Sequence, residues 1–218
     1  MKKLSSLVAC LAALSLSGGC YFNNGLRGSG IVKTEHREAD SFSSISSESV
    51  GRMTIQQTGK ESLKITAEDN ILPLLESRVA DKVLYLTIKK DASINATKPI
   101  DFVVEVKSLE SLNIKGVGTI EVKDIQGKRL SISLDGVGSM AIAGSVDVLE
   151  LTLEGVGSFH GEELKTKQAT VRNSGVGSAV VNVSENLDAT VSGVGSVEYI
   201  GSPQVRESVR GVGTVKKR

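Results

Sequence analysis

The chain has 218 residues, with 26 Lys and Arg against 25 Asp and Glu and a formal net charge of +1. Such a balance excludes a protein that works by neutralising a nucleic-acid backbone, which needs a marked basic patch. Two cysteines, Cys10 and Cys20, and no tryptophan exclude a disulfide-stapled scaffold, and only 3% aromatic residues argue against a dedicated sugar-stacking platform.

The first twenty residues read as an export signal. Lys2 and Lys3 precede an apolar stretch from Leu7 to Leu16, which ends in Ser17-Gly18-Gly19-Cys20. A basic start, a short apolar core and small residues before a cleavage point describe a secretory signal, and the stretch is too short to span a membrane as a stable helix. A cysteine directly after the small residues resembles the bacterial lipobox, although Ser17 stands where that pattern usually has leucine. The resemblance implies cleavage before Cys20, leaving 1–19 as a signal peptide, lipidation of Cys20 and membrane attachment through that lipid. Tyr21 follows rather than an aspartate, which by the same resemblance points to the outer membrane. Beyond Cys20 no cysteine remains to pair with, and the 198 residues that follow carry 24 basic and 25 acidic side chains, a net of −1. That length suffices for one substantial domain held together by its core alone.

Residues 20–27 lack periodicity and read as a tether. From Gly28 onward strand-like alternation begins loosely. Gly28-Ser29-Gly30 and Ser49-Val50-Gly51 are weak echoes of a phrase that dominates later, and alternation continues at Leu63 and Ile65, at Leu84, Leu86 and Ile88, and at Phe102, Val104 and Val106. Asp69 to Glu76 is the one helix-compatible interruption, with Asn70 as its candidate cap. Residues 28–108 are therefore expected to form less regular coils that close one end of a solenoid, because a bare end would leave strand edges free to pair with other chains.

The regular part spans 109–218. The phrase Gly-Val-Gly-[Ser/Thr] occurs six times, placing glycines at Gly116 and Gly118, Gly136 and Gly138, Gly155 and Gly157, Gly175 and Gly177, Gly193 and Gly195, and Gly211 and Gly213. Successive copies start 20, 19, 20, 18 and 18 residues apart, the mark of a repeat architecture. Apolar residues alternate before each copy, as in Leu130, Ile132, Leu134 and Leu149, Leu151, Leu153, and a second short apolar run follows it. Period two with one buried face is strand periodicity, and 18 to 20 residues leave no room for a crossover helix. Each repeat is therefore strand, tight glycine corner, strand and return turn, stacked into a single-stranded parallel β-helix. The corner needs glycine because identical turns must lie above one another at a strand spacing of about 4.8 Å. The intervening valines should stack as one column, and Thr119, Ser139, Ser158, Ser178, Ser196 and Thr214 as a column of hydroxyls.

From Gly28 to Arg218 the chain resembles the bacterial auto-transporter adhesin family with a head GIN domain, a family of unknown function. The resemblance rests on Gly28-Ser29-Gly30-Ile31-Val32-Lys33-Thr34-Glu35, on Glu61-Ser62-Leu63-Lys64-Ile65 followed by Asn70-Ile71-Leu72-Pro73-Leu74, and on Lys98-Pro99-Ile100 with the repeated turns. It implies a right-handed β-helix, export and often a lipid anchor, and it supplies no catalytic residue.

A Gly-x-Gly phrase invites a nucleotide-binding reading, but the dinucleotide fingerprint requires a third glycine and a following helix, and six copies at coil spacing are architecture. No cofactor is called for, and no metal-ligand spacing surrounds His36 or His160. β-Helices also carry polysaccharide lyases and hydrolases, whose chemistry requires two carboxylates about 5 to 9.5 Å apart. The outward positions beside the corner read Lys115, Asp135, Glu154, Ser174, Ser192 and Arg210; Asp135 and Glu154 are the one candidate pair, with Lys115 beside it. Two positions upstream, Asn113, Ser133, Thr152, Arg172 and Thr190 form a flat polar strip suited to a protein or glycan contact. A non-catalytic envelope lipoprotein with a binding or adhesion surface is the leading expectation, and a carbohydrate-active enzyme using Asp135 and Glu154 is the alternative. Glu207 stands where Ile132, Leu151 and Val171 stand in earlier coils. With Arg206, Arg210 and the basic tail, it is expected to block stacking on the last coil and keep the protein monomeric.

Overall fold

The computed structural model describes residues 25–218, so Cys10, Cys20 and the expected signal lie outside the described residues. Parallel stacked coils form a β-solenoid of about five turns. Long strands run Val117–Leu134, Val137–Leu153, Val156–Asn173 and Val176–Val191, each paired in parallel with the next. Corner aligns with corner throughout: Val117 with Val137, Val156, Val176, Val194 and Val212 in turn.

The Gly-Val-Gly corner is the only break in the four coils from Val117 to Val191; the coil after them is also interrupted between Ile200 and Gln204. In those four coils the expected return turn is instead a bend inside one continuous strand, whereas between Ile200 and Gln204 the strand does end, with Gly201 at a φ of 103°. Along the continuous strands the ladder skips residues. Skips fall between Val122 and Ile125, between Ala141 and Ala143, and twice between Gly161 and Gln168. Bulges of this kind add residues to one strand without ending its pairing. They absorb the difference between coils of 18 and 20 residues while the corners stay in register.

The interior follows the alternation. Leu130, Ile132, Leu149, Leu151, Ala169, Val171, Leu187 and Ala189 are buried on one side of the corner, and Ile120, Met140, Phe159, Ala179 and Val197 on the other. At the corner itself the valines point outward, so the core has no side chain there. A narrow gap of about 30 Å³ remains behind it, lined by Ile114, Leu134, Leu153 and Asn173.

At its N-terminal end the coils become less regular, as expected, and close the stack. The segment containing Ser44–Ser47 and Val50–Gln57 is a true rung beneath Ser111–Ile114 and the start of the Val117 strand, with Val50 and Gly51 aligned to Val117 and Gly118. Ser49-Val50-Gly51 is thus a genuine corner. The rung below it is assembled out of chain order from Val83–Ile88 and Asp101–Val106. Beyond that the pairing turns antiparallel: Leu75–Ala80 on Val83–Ile88, Ser62–Glu68 on Asp101–Val106, and Val32–Arg37 on Ser62–Glu68. Antiparallel strands close the end because they can be joined by short loops.

Three smaller expectations are corrected. The interruption at Asp69 to Glu76 is a single 3-10 turn, Leu72–Leu74, entered at Ile71 without a side-chain cap. Asn70 does not cap it. Its side chain donates to the Arg27 carbonyl (2.8 Å) and accepts from the Ser29 amide (2.9 Å), because the N-terminal segment offers unpaired backbone groups there. The tether ends sooner than 27, since Leu26–Arg27 pairs in parallel with Ile94–Asn95.

Candidate functional site

The polar strip is one continuous row. Ser46, Asn113, Ser133, Thr152, Arg172, Thr190 and Ser208 are successive register partners. On the N-terminal side Ser46 pairs with Tyr85, and Tyr85 with Arg78. The Arg78 guanidinium carbon stands 4.1 Å from the centre of the Tyr85 ring, a cation–π contact. Arg172 is exposed, and Asn113, Ser133, Thr152 and Thr190 are half-buried by their neighbours in the row. The Oδ1 atom of Asn113 is covered and has no partner among the described residues. Arg78 and Tyr85 escape a reading by repeats because their strands precede the first regular coil and join the row out of sequence order.

Asp135 and Glu154 sit on adjacent coils. Each strand's end is tied to the coil before it, by the Asp135 amide to the Ile114 carbonyl (2.8 Å) and the Glu154 amide to the Leu134 carbonyl (2.9 Å). Both side chains are exposed. Lys115 does not join them; its Nζ lies 3.7 Å from Glu48 on the rung below. The larger surface depressions lie elsewhere. One of about 530 Å³ lies along the return bends, lined by residues such as Glu121, Asp124, His160 and Glu163. Another of about 350 Å³ lies over Gln168, Asn186 and Gln204. His160 contacts Glu162 at 3.7 Å, and His36 is in the N-terminal cap, paired with Lys64. No group of three or more His, Cys, Asp or Glu that could hold a metal ion occurs among the described residues.

The twelve corner glycines are fixed by contact with the coil beneath. A Cβ on Gly157 would lie 1.7 Å from the Gly138 carbonyl oxygen, and one on Gly136 would lie 1.9 Å from that of Gly116. Backbone rests directly on backbone there, leaving no space for any side chain.

One polar constellation was not visible in the sequence. Glu68 is fully buried, and its carboxylate accepts hydrogen bonds from the Gly30 amide (2.7 Å), the Thr97 hydroxyl (2.5 Å), the Thr97 amide (2.8 Å) and the Lys98 amide (3.3 Å). The Thr97 hydroxyl, helped by the backbone amides and opposed by burial, holds the Glu68 carboxyl down to about 2. Gly28 packs so closely that a Cβ would lie 1.8 Å from the carboxylate. Next in the chain, Asp69 accepts from the Ser29 hydroxyl (2.5 Å) and pairs with Lys33 (3.6 Å). Glu68, Asp69 and Asn70 together grip residues 27 to 33. The Gly28-Ser29-Gly30 stretch is therefore no corner; Gly28 admits the carboxylate, and Gly30 adopts a left-handed φ of 81° that turns its amide toward it.

A solenoid whose outward side chains stand in straight columns, with one polar row across nine strands, defines a class of surface-presenting β-helix proteins. The chain belongs to the family described as "Putative auto-transporter adhesin, head GIN domain", whose model matches residues 41–203. It is similar to the crystal structure of a "putative adhesin" from Bacteroides fragilis, with 28% identity over 89% of this chain and 100% of that one, at a TM-score of 0.75. Two structures from Parabacteroides distasonis share the fold: a "putative adhesin" (20% identity, 88% and 99% coverage, TM-score 0.56) and a "putative lipid binding protein" (18%, 88% and 99%, TM-score 0.53). No curated protein matches the chain. No helix among the described residues is long and apolar enough to cross a membrane.

Proposed function

We propose that the protein is a non-catalytic cell-envelope lipoprotein, anchored in the outer membrane through Cys20, whose solenoid presents the row from Arg78 to Ser208 as an adhesion surface for a protein or glycan partner. The observation that carries this reading is the register itself. Nine strands bring polar side chains into one straight row, roughly 38 Å long at the usual strand spacing. A flat row of that length suits an extended partner, with Ser and Thr hydroxyls and Arg172 offering hydrogen bonds, and Tyr85 an aromatic face at one end. The adhesin descriptions of the family and of the Bacteroides fragilis relative support the same reading.

The enzymatic alternative has less support. A glycosidase proton donor is set in apolar surroundings that keep it protonated, whereas Asp135 and Glu154 are open to water and line neither of the two large depressions. The test is binding of the purified chain to immobilised glycans and extracellular-matrix proteins. Thr152→Lys combined with Arg172→Glu should reduce capture at least tenfold with unfolding temperature unchanged. Capture that survives this change would remove the row from the function, and glycan cleavage abolished by Asp135→Asn and Glu154→Gln would establish the enzyme instead.

A further inference from the structure

The columns outside the core are polar or charged except one. Val117, Val137, Val156, Val176, Val194 and Val212 are exposed by 52, 51, 51, 51, 49 and 73%, stacked in register at the corners. Each is flanked by glycine on both sides, so the valines stand as a bare apolar ridge about 24 Å long. The fold does not require them. The valine side chain contributes nothing to the core, and threonine, equally suited to a strand, fills the hydroxyl column two residues on at Thr119 and Thr214.

We infer that this ridge is the contact of a weak, side-by-side dimer in which a second copy of the chain lies with its axis parallel to the first. Three observations select a second copy as the occupant. A partner keeps contact along the whole ridge only if it carries the same coil spacing, and this chain carries it. A two-fold axis along the ridge makes the surface self-complementary, since the same patch serves both partners. The charges then agree level by level. This axis sets the column Lys115, Asp135, Glu154, Ser174, Ser192 and Arg210 of each copy opposite the hydroxyl column of the other, so that hydroxyls meet Asp135 and Glu154. Antiparallel axes would set Lys115 against Arg210 at both ends. With the flanking columns, four residues apart along the strand, the strip measures about 13 Å by 24 Å, or roughly 300 Å², well below the roughly 800 Å² that each partner of a standard interface buries, so the dimer is reversible and concentration-dependent. Parallel axes also put both N-termini at one end, as two copies anchored in one membrane require; that point alone rests on the lipoprotein reading. Arg210, Val212 and Thr214 of the last coil belong to this strip but its end face does not, so the expected resistance of that face to end-to-end stacking is compatible with side-by-side pairing.

Sedimentation velocity on the full chain over a dilution series should show a monomer–dimer equilibrium. Val156→Thr combined with Val176→Thr should weaken it at least tenfold with the unfolding temperature unchanged. Single Val137→Cys and Val194→Cys variants should each yield self-crosslinked dimers beyond the background set by Cys10 and Cys20 in the wild type. A monomer at every concentration, or a dimer indifferent to the threonine pair, overturns the inference, and crosslinks that form only when the two cysteine variants are mixed overturn the parallel arrangement. Because association is read without any ligand, failure here leaves the adhesion reading untouched.

Discussion

The amide of Gly30 donates a 2.7 Å hydrogen bond to the buried carboxylate of Glu68, joining the start of the domain to a strand 38 residues further on. With the Thr97 hydroxyl and the Thr97 and Lys98 amides, it makes a cradle that only a carboxylate fills, since every partner donates. Three stretches that looked unrelated along the chain, at Gly28, Glu68 and Lys98, thus form one clasp that moors the segment leading to the N-terminus.

The clasp makes stability depend on acid. The Glu68 carboxyl lies at about 2 in the folded protein, below its ordinary value of 4.5. A group whose value is depressed by folding contributes its stabilisation in full above the unfolded value and loses it as pH falls toward the folded one. Glu68→Gln should therefore melt below wild type at pH 7, because an amide nitrogen replaces an acceptor facing donors. The gap should narrow between about pH 4.5 and 2 as wild type loses its advantage. Thermal unfolding by circular dichroism at stepped pH measures it; a gap constant across that window would mean that Glu68 is not held as an anion.

The corner glycines should separate sharply from glycines elsewhere. Gly157→Ala places a methyl 1.7 Å from the Gly138 carbonyl oxygen, which only backbone displacement can relieve, so a loss well over 1 kcal/mol is expected. At Gly127 a Cβ would meet its nearest neighbour at 3.9 Å, and Gly127→Ala should be neutral or stabilise by up to about 1 kcal/mol through the unfolded chain. Chemical denaturation of the two variants decides; comparable losses would refute the stacked-corner geometry.

What the sequence showed and what it hid follow from distance along the chain. Beside the corners the regular coils pair each residue with one 18 to 20 positions away, so the repeat displays the register directly, and the columns of Val137, Ser139 and Thr152 are legible from spacing alone. The bends are not, because a bulge such as that between Val122 and Ile125 leaves no residue signature comparable to Gly-Val-Gly. The cap was also hidden. Its pairings are antiparallel or out of chain order, so nothing repeats, and the cradle of Glu68 joins segments that have no common period. Tyr85 joins the polar row through the same out-of-order rung.

The anchor can be tested apart from the fold. If Cys20 is the lipidated residue, Cys20→Ser should abolish metabolic labelling with a palmitate analogue and release the protein from the membrane fraction. The described core is built from Ala39 onward, so the released chain should keep wild-type thermal unfolding. Labelling that persists after Cys20→Ser would transfer the anchor elsewhere in the chain.

The final prediction concerns a buried polar side chain in an otherwise apolar run of partners. Ile114, Leu134, Leu153, Asn173 and Val191 are successive partners beside the corner, and Asn173 is only 1% exposed. Its Nδ2 donates to the Gly177 carbonyl at 3.0 Å, which secures the next corner, but its Oδ1 has no partner among the described residues. A buried acceptor left unpaired costs about 1 to 3 kcal/mol, while a typical internal hydrogen bond contributes about 1. Asn173→Leu keeps the number of side-chain heavy atoms and the branch at Cγ, puts a methyl in place of the unpaired oxygen, and matches the leucine of the coil below. The relief of Oδ1 and the added apolar contact therefore outweigh the lost bond to Gly177, and Asn173→Leu should stabilise the protein by about 1 kcal/mol. The opposite sign has one clear physical source, since the adjoining gap of about 30 Å³ exceeds the 10 to 15 Å³ that a water needs. If denaturant midpoints show the leucine variant to be less stable, a water bound to Oδ1 is part of the native corner, and Asn173 is the residue that holds it.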